Sequence, residues 1–190
     1  MNNIVALGFL FVFIGLATYI ILIFNDLVAV KNDVAKSLAN IDILLKQRHD
    51  ELPNLVEVCK GYKNFEGDTL LRITQARSMY QQATSVDQKA QADQSMTSAL
   101  RGLFAVAENY PQLKANDNFL KLQTRITELE NEIADRREFY NDCVNTLNTR
   151  IQQFPDTFIA AFMSLQAKPM FKVEEADKAP VPVSFGASAR

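Results

Sequence analysis

Residues 4–24 read IVALGFLFVFIGLATYIILIF, a run of 21 without a charged side chain in which only Gly8, Gly15 and Thr18 fall outside the apolar set. As a helix rising about 1.5 Å per residue, the run covers roughly 32 Å, close to the thickness of a bilayer's hydrocarbon core. A helix satisfies its own backbone polar groups in lipid, so the two glycines are tolerated there. Secretory leaders instead carry a basic start, a shorter apolar stretch and an Ala-x-Ala-like cleavage site. Met1-Asn2-Asn3 bears no charged side chain, and no such site comes after the run. The expectation is an uncleaved anchor over residues 1–26, touching the lipid bilayer through residues 4–24. Lys31 and Lys36 near its exit end favour a cytoplasmic position for the rest of the chain.

Asn25 and Asp26 mark the exit, yet the helical pattern continues past them. Leu27, Val34, Ile41, Leu55 and Tyr62 recur at intervals of seven, with Arg48 as the polar interruption. Leu38, Leu45, Leu52 and Cys59 run beside them, four residues on. This 3–4 spacing draws one apolar seam along a helix. The seam keeps its phase across Pro53, where a kink is expected, and Gly61 and Gly67 are the expected ends. A second helix over about 65–83 turns Leu70, Ile73, Ala76 and Tyr80 inward. Thr84-Ser85-Val86-Asp87 forms a turn with a cap, and the next helix carries Met96, Leu100, Leu103, Ala107 and Tyr110. Pro111 ends or bends it, and Asn116-Asp117-Asn118 caps its successor.

That successor is long. Phe119, Leu122, Ile126, Leu129, Ile133, Tyr140, Val144, Leu147, Ile151 and Phe154 hold the same spacing, until Phe154-Pro155-Asp156 interrupts it. Residues 157–165 suit a short apolar helix. From Pro169 onward, with Pro180 and Pro182, no period lasts, and this part reads as a tail or docking arm. The fold class expected is all-α, an N-terminal transmembrane helix followed by an elongated antiparallel bundle of long helices. The domains are an anchor at 1–26, a bundle at 27–166 and a tail at 167–190. Seams this long also suit coiled-coil contacts between chains.

The chain has 20 Lys and Arg against 22 Asp and Glu, with a formal charge of −2. No basic stripe is present, so nucleic acid is not an expected partner. Cys59 and Cys143 are too few for a disulfide scaffold and lie in apolar helical positions, as buried free cysteines do. His49 is the single histidine. A catalytic role with Asp50 or Glu57 lacks an adjacent Ser or Cys nucleophile, and Cys59 would have to be brought round by the fold. The residue three before His49 is Lys46, not the Glu of a di-iron Glu-x-x-His motif. Glu128, Glu130 and Glu132 alternate, so they cannot share one face. The six glycines are scattered, which leaves no phosphate loop. No catalytic, cofactor-binding or metal residue is assigned, and no cofactor is implied.

Charges inside the seams carry more information. Arg48 takes a seam position, and Arg136 and Arg137 stand where an apolar residue is due between Ile133 and Tyr140. A buried guanidinium needs acceptors, and Asp42, Glu57 and Glu130 are the candidates for a network that fixes helix register. The other reading places these arginines at the bundle edge with their heads in water.

Several ordered blocks resemble the LemA family. They include Asn40-Ile41-Asp42, Arg48-His49-Asp50, Pro53-Asn54-Leu55-Val56-Glu57, Lys60-Gly61-Tyr62 and Ala76-Arg77. Further along come Tyr110-Pro111-Gln112-Leu113-Lys114-Ala115-Asn116, Phe119-Leu120, Leu122-Gln123, Glu130-Asn131-Glu132-Ile133-Ala134, Arg137, Tyr140-Asn141 and Phe154-Pro155. The resemblance spans about 25–171. Phe65 replaces the His that family members often carry before the residue matching Glu66, and the chain has no Trp, where members often carry Trp or a similar large residue near the position of Ala39. The resemblance implies one N-terminal transmembrane helix, a bundle of long antiparallel helices, a place in the bacterial inner membrane, and no catalytic group. The function expected is a non-enzymatic scaffold that forms a homo-oligomer at the membrane. The alternative is an adaptor or regulatory subunit of a membrane protease or another envelope complex.

Overall fold

The structure is a computed structural model that describes residues 2–62 and 65–171. Among the described residues six helices succeed one another: α1 (Asn2–Lys60), α2 (Gly67–Gln82), α3 (Val86–Ala107), α4 (Pro111–Lys114), α5 (Asp117–Arg150) and α6 (Asp156–Phe162). No strand occurs among the described residues, and the all-α expectation holds.

Helix α1 contains 59 residues and is about 88 Å long at 1.5 Å per residue. It has two halves of different character. Residues 4–22 leave their large apolar side chains exposed, Phe9, Phe11 and Phe13 among them, and the stretch is long and apolar enough to cross a bilayer. From Ile23 onward one stripe is buried: Leu27, Val34, Ile41, Leu45, Leu52, Leu55 and Cys59. The helix runs through Pro53 without a break. Proline removes the hydrogen bond to the carbonyl four residues back. Pro53 itself is exposed, while Leu52 and Leu55 on the seam are fully covered. Packing on the covered face holds the helix through the lost bond.

Helix α5 returns antiparallel along α1, and α2 and α3 form a hairpin against their outer part. Ser85 caps α3 with a capping box, its side chain accepting from the Gln88 amide while the Gln88 side chain accepts from Ser85. Asn116 caps α5 by accepting from the amides of Asn118 and Phe119. Both polar turns therefore satisfy orphan N–H groups as expected. At the distal end Leu103, Leu113, Phe119 and Ile126 close a core with Leu52, Leu55 and Cys59. Nearer the apolar half of α1 a second core joins Val34, Ile41, Leu45, Leu129, Ile133, Tyr140, Val144 and Phe171. A small third cluster places Ile23 and Leu27 against Ala160. The α1 stripe is thus filled within one chain, which answers the coiled-coil alternative for its buried residues.

Three boundaries differ from the sequence reading. Helix α3 stops at Ala107, and Tyr110, expected on it, stands at the N-cap position of α4. The long helix stops at Arg150, and Phe154, expected on its seam, is 77% exposed. Pro155 disfavours helical geometry in the residue before it, so the chain turns over 151–155 and Phe154 leaves the α5 face. The last helix ends at Phe162, before Leu165. Ser164 adopts a positive φ of 52°, and the amides of Ser164 and Leu165 bond back to the carbonyls of Ala161 and Ala160. This is a Schellman stop with serine in the position that glycine usually takes.

After α6 the chain climbs back along α5 as an extended strap. Asn148 donates to the Lys168 carbonyl and accepts from its amide, both at 2.9 Å. Asn141 does the same for Phe171, at 3.1 and 2.8 Å. Between them the Tyr140 hydroxyl donates to the Pro169 carbonyl at 2.9 Å. Seven helical residues advance about 10.5 Å and three extended residues about 10 Å, so the two asparagines match the strap's spacing. The remainder of the tail, 172–190, lies outside the described residues.

Candidate functional site

Between the distal and second cores lies a layer of charge. Arg48 of α1 is 3% exposed and Asp93 of α3 is 1% exposed. The Arg48 NH2 group donates to Asp93 at 2.6 Å, and its NH1 group pairs with Glu130 of α5. Thr97, one turn beyond Asp93, donates to Glu130 at 2.7 Å and accepts from Arg48 at 3.5 Å. Arg137 of α5 reaches the other oxygen of Asp93. Two guanidinium groups and two carboxylates therefore form a neutral set tying α1, α3 and α5 together. Asp93 bridges both arginines.

Burial is the first cause that pulls the Arg137 guanidinium down to about 10, and the nearby charge of Arg48 is the second. It remains a cation at neutral pH. Its buried Nε finds no partner among the described residues. Arg137→Leu removes that unmet donor along with the pairing, while Asp93 keeps Arg48. The expected cost is about 1–2 kcal/mol, above the roughly ±0.5 kcal/mol of a surface change. Thermal unfolding in detergent checks it, and an unchanged midpoint removes Arg137 from the network.

Sequence placed Arg48, Arg137 and Glu130 in one network, and the structure brings them together. Its other assignments fail. Asp42 lies half-buried and pairs with Lys89 at 2.7 Å. Glu57 and Arg136 are exposed. Side chains out of phase with the seams of Arg48 and Ile133 cannot reach the layer. Asp93, the central acceptor, was not among the candidates. Its signal was present in the spacing, since Asp93, Met96, Leu100, Leu103 and Ala107 keep one 3–4 pattern.

His49 accepts from Arg77 Nε at its own Nε2, at 3.1 Å, and its Nδ1 faces Asp50 at 3.3 Å. An accepting Nε2 puts the proton on Nδ1, directed at that carboxylate. The ring also lies 5.5 Å from that of Tyr80. His49 is thus a joint between α1 and α2 beside the ionic layer. Both cysteines are free, with Cys59 buried and Cys143 half-buried. A groove of about 370 Å³ between α1 and α2 has Leu52, Val56 and Ile73 on its walls, with Glu57, Lys60 and Arg77 beside them. Among the described residues no three His, Cys, Asp or Glu side chains cluster to hold a metal.

Burial pushes the Cys59 thiol up to about 11 from an ordinary 9.0. A raised acid in the fold means that the unfolded chain loses its proton first. The corresponding stability is complete below pH 9 and falls as pH rises toward 11, by up to about 3 kcal/mol. Tyr80 and Tyr140, also raised chiefly by burial, add loss above pH 10. Urea unfolding at pH 8 and 10.5 isolates the thiol: Cys59→Ala should be less stable at pH 8 but lose less on moving to 10.5.

The fold and the charge layer define a class: a bundle of long helices, braced by buried ion pairs, on a helix long and apolar enough to cross a membrane. The LemA family model matches residues 37–185, and the chain belongs to the LemA family. It is 31% identical over 165 residues to protein LemA of Metamycoplasma hominis, covering 84% of this chain and 74% of that protein. It is 22% identical over 184 residues to magnetosome protein MamQ 2 of Paramagnetospirillum magneticum, covering 83% and 68%. With magnetosome protein MamQ of Magnetospirillum gryphiswaldense it shares 20% over 194 residues, covering 88% and 71%.

Proposed function

We propose that the protein is a non-enzymatic, single-pass scaffold of the bacterial inner membrane that assembles with copies of itself at the bilayer surface. The observation that carries this reading is the continuity of α1. One helix holds the exposed apolar span and, without a joint, the seam around which α3 and α5 pack. A position fixed in lipid is therefore transmitted rigidly to the whole bundle. The buried charges suit the same role, because ionic groups in a core can fix helix register even where they add little net stability. The α1 stripe is filled internally, so lateral association falls to exposed apolar side chains such as Leu71, Met79, Leu120 and Phe139. Lys31 and Lys36 favour the cytoplasmic side.

Crosslinking in intact membranes, then gentle extraction and determination of mass and subunit content, tests the proposal. A particle built of this chain alone is the expected result. A stoichiometric second protein would replace it with the adaptor reading.

A further inference from the structure

Large apolar side chains are exposed where α6 meets α1. Phe154, Phe158 and Phe162, spaced by four, are 77, 69 and 85% exposed. Between Asp156 and Lys168 no residue is charged. Phe158, Ile159 and Phe162 face Ile20, Ile21 and Phe24 across a shared apolar hollow, so the phenylalanine ridge continues the exposed surface of the 4–24 span. Arg150 donates to Asp156 at 2.6 Å and lies 3.6 Å from Asp26, just beyond the end of the span. Ile20 lies four residues inside Phe24, about 6 Å along the helix axis. That matches the roughly 5–10 Å by which interfacial helices sink their apolar faces.

We infer that 154–163 is a second membrane element, seated in the leaflet at the exit end of the anchor with Phe154, Phe158 and Phe162 among the lipid acyl chains. The occupant of this face is lipid because the ridge is continuous with the span across a shared hollow, and because residues 157–167 carry no charge. The bundle is then held at two points, by α1 through the bilayer and by α6 in its surface. Two points fix its tilt and rotation where one helix leaves both free. This rests on residues 4–24 spanning the membrane.

The chain contains no Trp, so Phe162→Trp installs a lone fluorophore in the full-length protein. Reconstituted in phosphatidylcholine vesicles, it should emit to the blue of a water-exposed tryptophan and lose most of its intensity when the acyl chains are brominated. Phe158→Trp gives the same reading should the first variant fail to reconstitute. Phe11→Trp reports on the anchor separately, and Phe119→Trp, buried in the distal core, is the unquenched control. Quenching at 11 with none at 162 and 158 overturns this inference and leaves the anchor intact. Absence of quenching at all three overturns both. Blue emission at 162 that brominated lipid does not quench means protein covers the face, a second copy included, and also overturns the inference.

Discussion

Asp93→Ala is expected to lower the unfolding free energy of the bundle by about 3–5 kcal/mol, the cost of removing one member of a buried ionic set. Asp93 accepts from Arg48 with one oxygen and from Arg137 with the other. Deleting it leaves two cations facing one carboxylate, Glu130, inside a closed layer. Burial amplifies the effect, since Arg48 and Asp93 are almost wholly removed from water. Urea unfolding monitored by helical circular dichroism in detergent measures the change, with exposed Asp135→Ala as the control. An ion pair replaced as a unit by apolar residues often loses nothing. The quadruple variant Arg48→Met, Asp93→Leu, Glu130→Leu, Arg137→Leu, which removes the whole set, should therefore recover most of the stability that Asp93→Ala loses. If Asp93→Ala matches the Asp135 control, or if the quadruple variant is worse than the single one, the layer does not work as described.

The same layer shows how far sequence alone reaches. The seam of α1 was legible because 3–4 spacing records burial directly, and a charged residue in that phase, Arg48, stood out against its apolar neighbours. Arg137 stood out in the same way on α5. Asp93 obeys the same rule on α3, whereas residue type alone points equally to Asp42, Glu57 and Glu130. Asp42 and Glu57 illustrate the difference, because each is out of phase with the buried stripe. Which helices pair is a long-range matter that no local period encodes. The α2–α3 hairpin had to be placed before Asp93 could meet Arg48. Helix ends were legible at Ser85 and Asn116, where caps mark them. They were less so at 150, where apolar spacing carried through Ile151 to Phe154 although Pro155 already disfavoured helix there. The level of α6 beside Ile20 and Phe24 is set by the length of α5, which brings Arg150 down to Asp26. Periodicity gives the length of a helix but not the register against its partner.

The strap was beyond periodicity altogether, because extended chain bound by asparagine side chains leaves no repeat. Tyr140→Ala tests what it contributes. Tyr140 is buried in the second core, meets the Phe171 ring edge-on at 5.4 Å and donates its hydroxyl to Pro169. Truncation should cost about 3–5 kcal/mol, as for other large aromatic side chains in cores. Tyr140→Phe keeps the ring and loses one hydrogen bond, so about 1 kcal/mol is expected. The gap between the two variants separates packing from hydrogen bonding. Amide exchange then separates the strap from the core. In the strap, the Lys168 and Phe171 amides are held by asparagine oxygens. In Asn141→Ala the Phe171 amide should exchange faster while core amides such as that of Leu129 do not. In Tyr140→Ala both strap amides should quicken, because the ring that seats Phe171 is gone. Unchanged exchange at Phe171 in Asn141→Ala would mean that burial of the Phe171 ring alone holds the strap. The seven-residue spacing of Asn141 and Asn148 would then have no mechanical part in it.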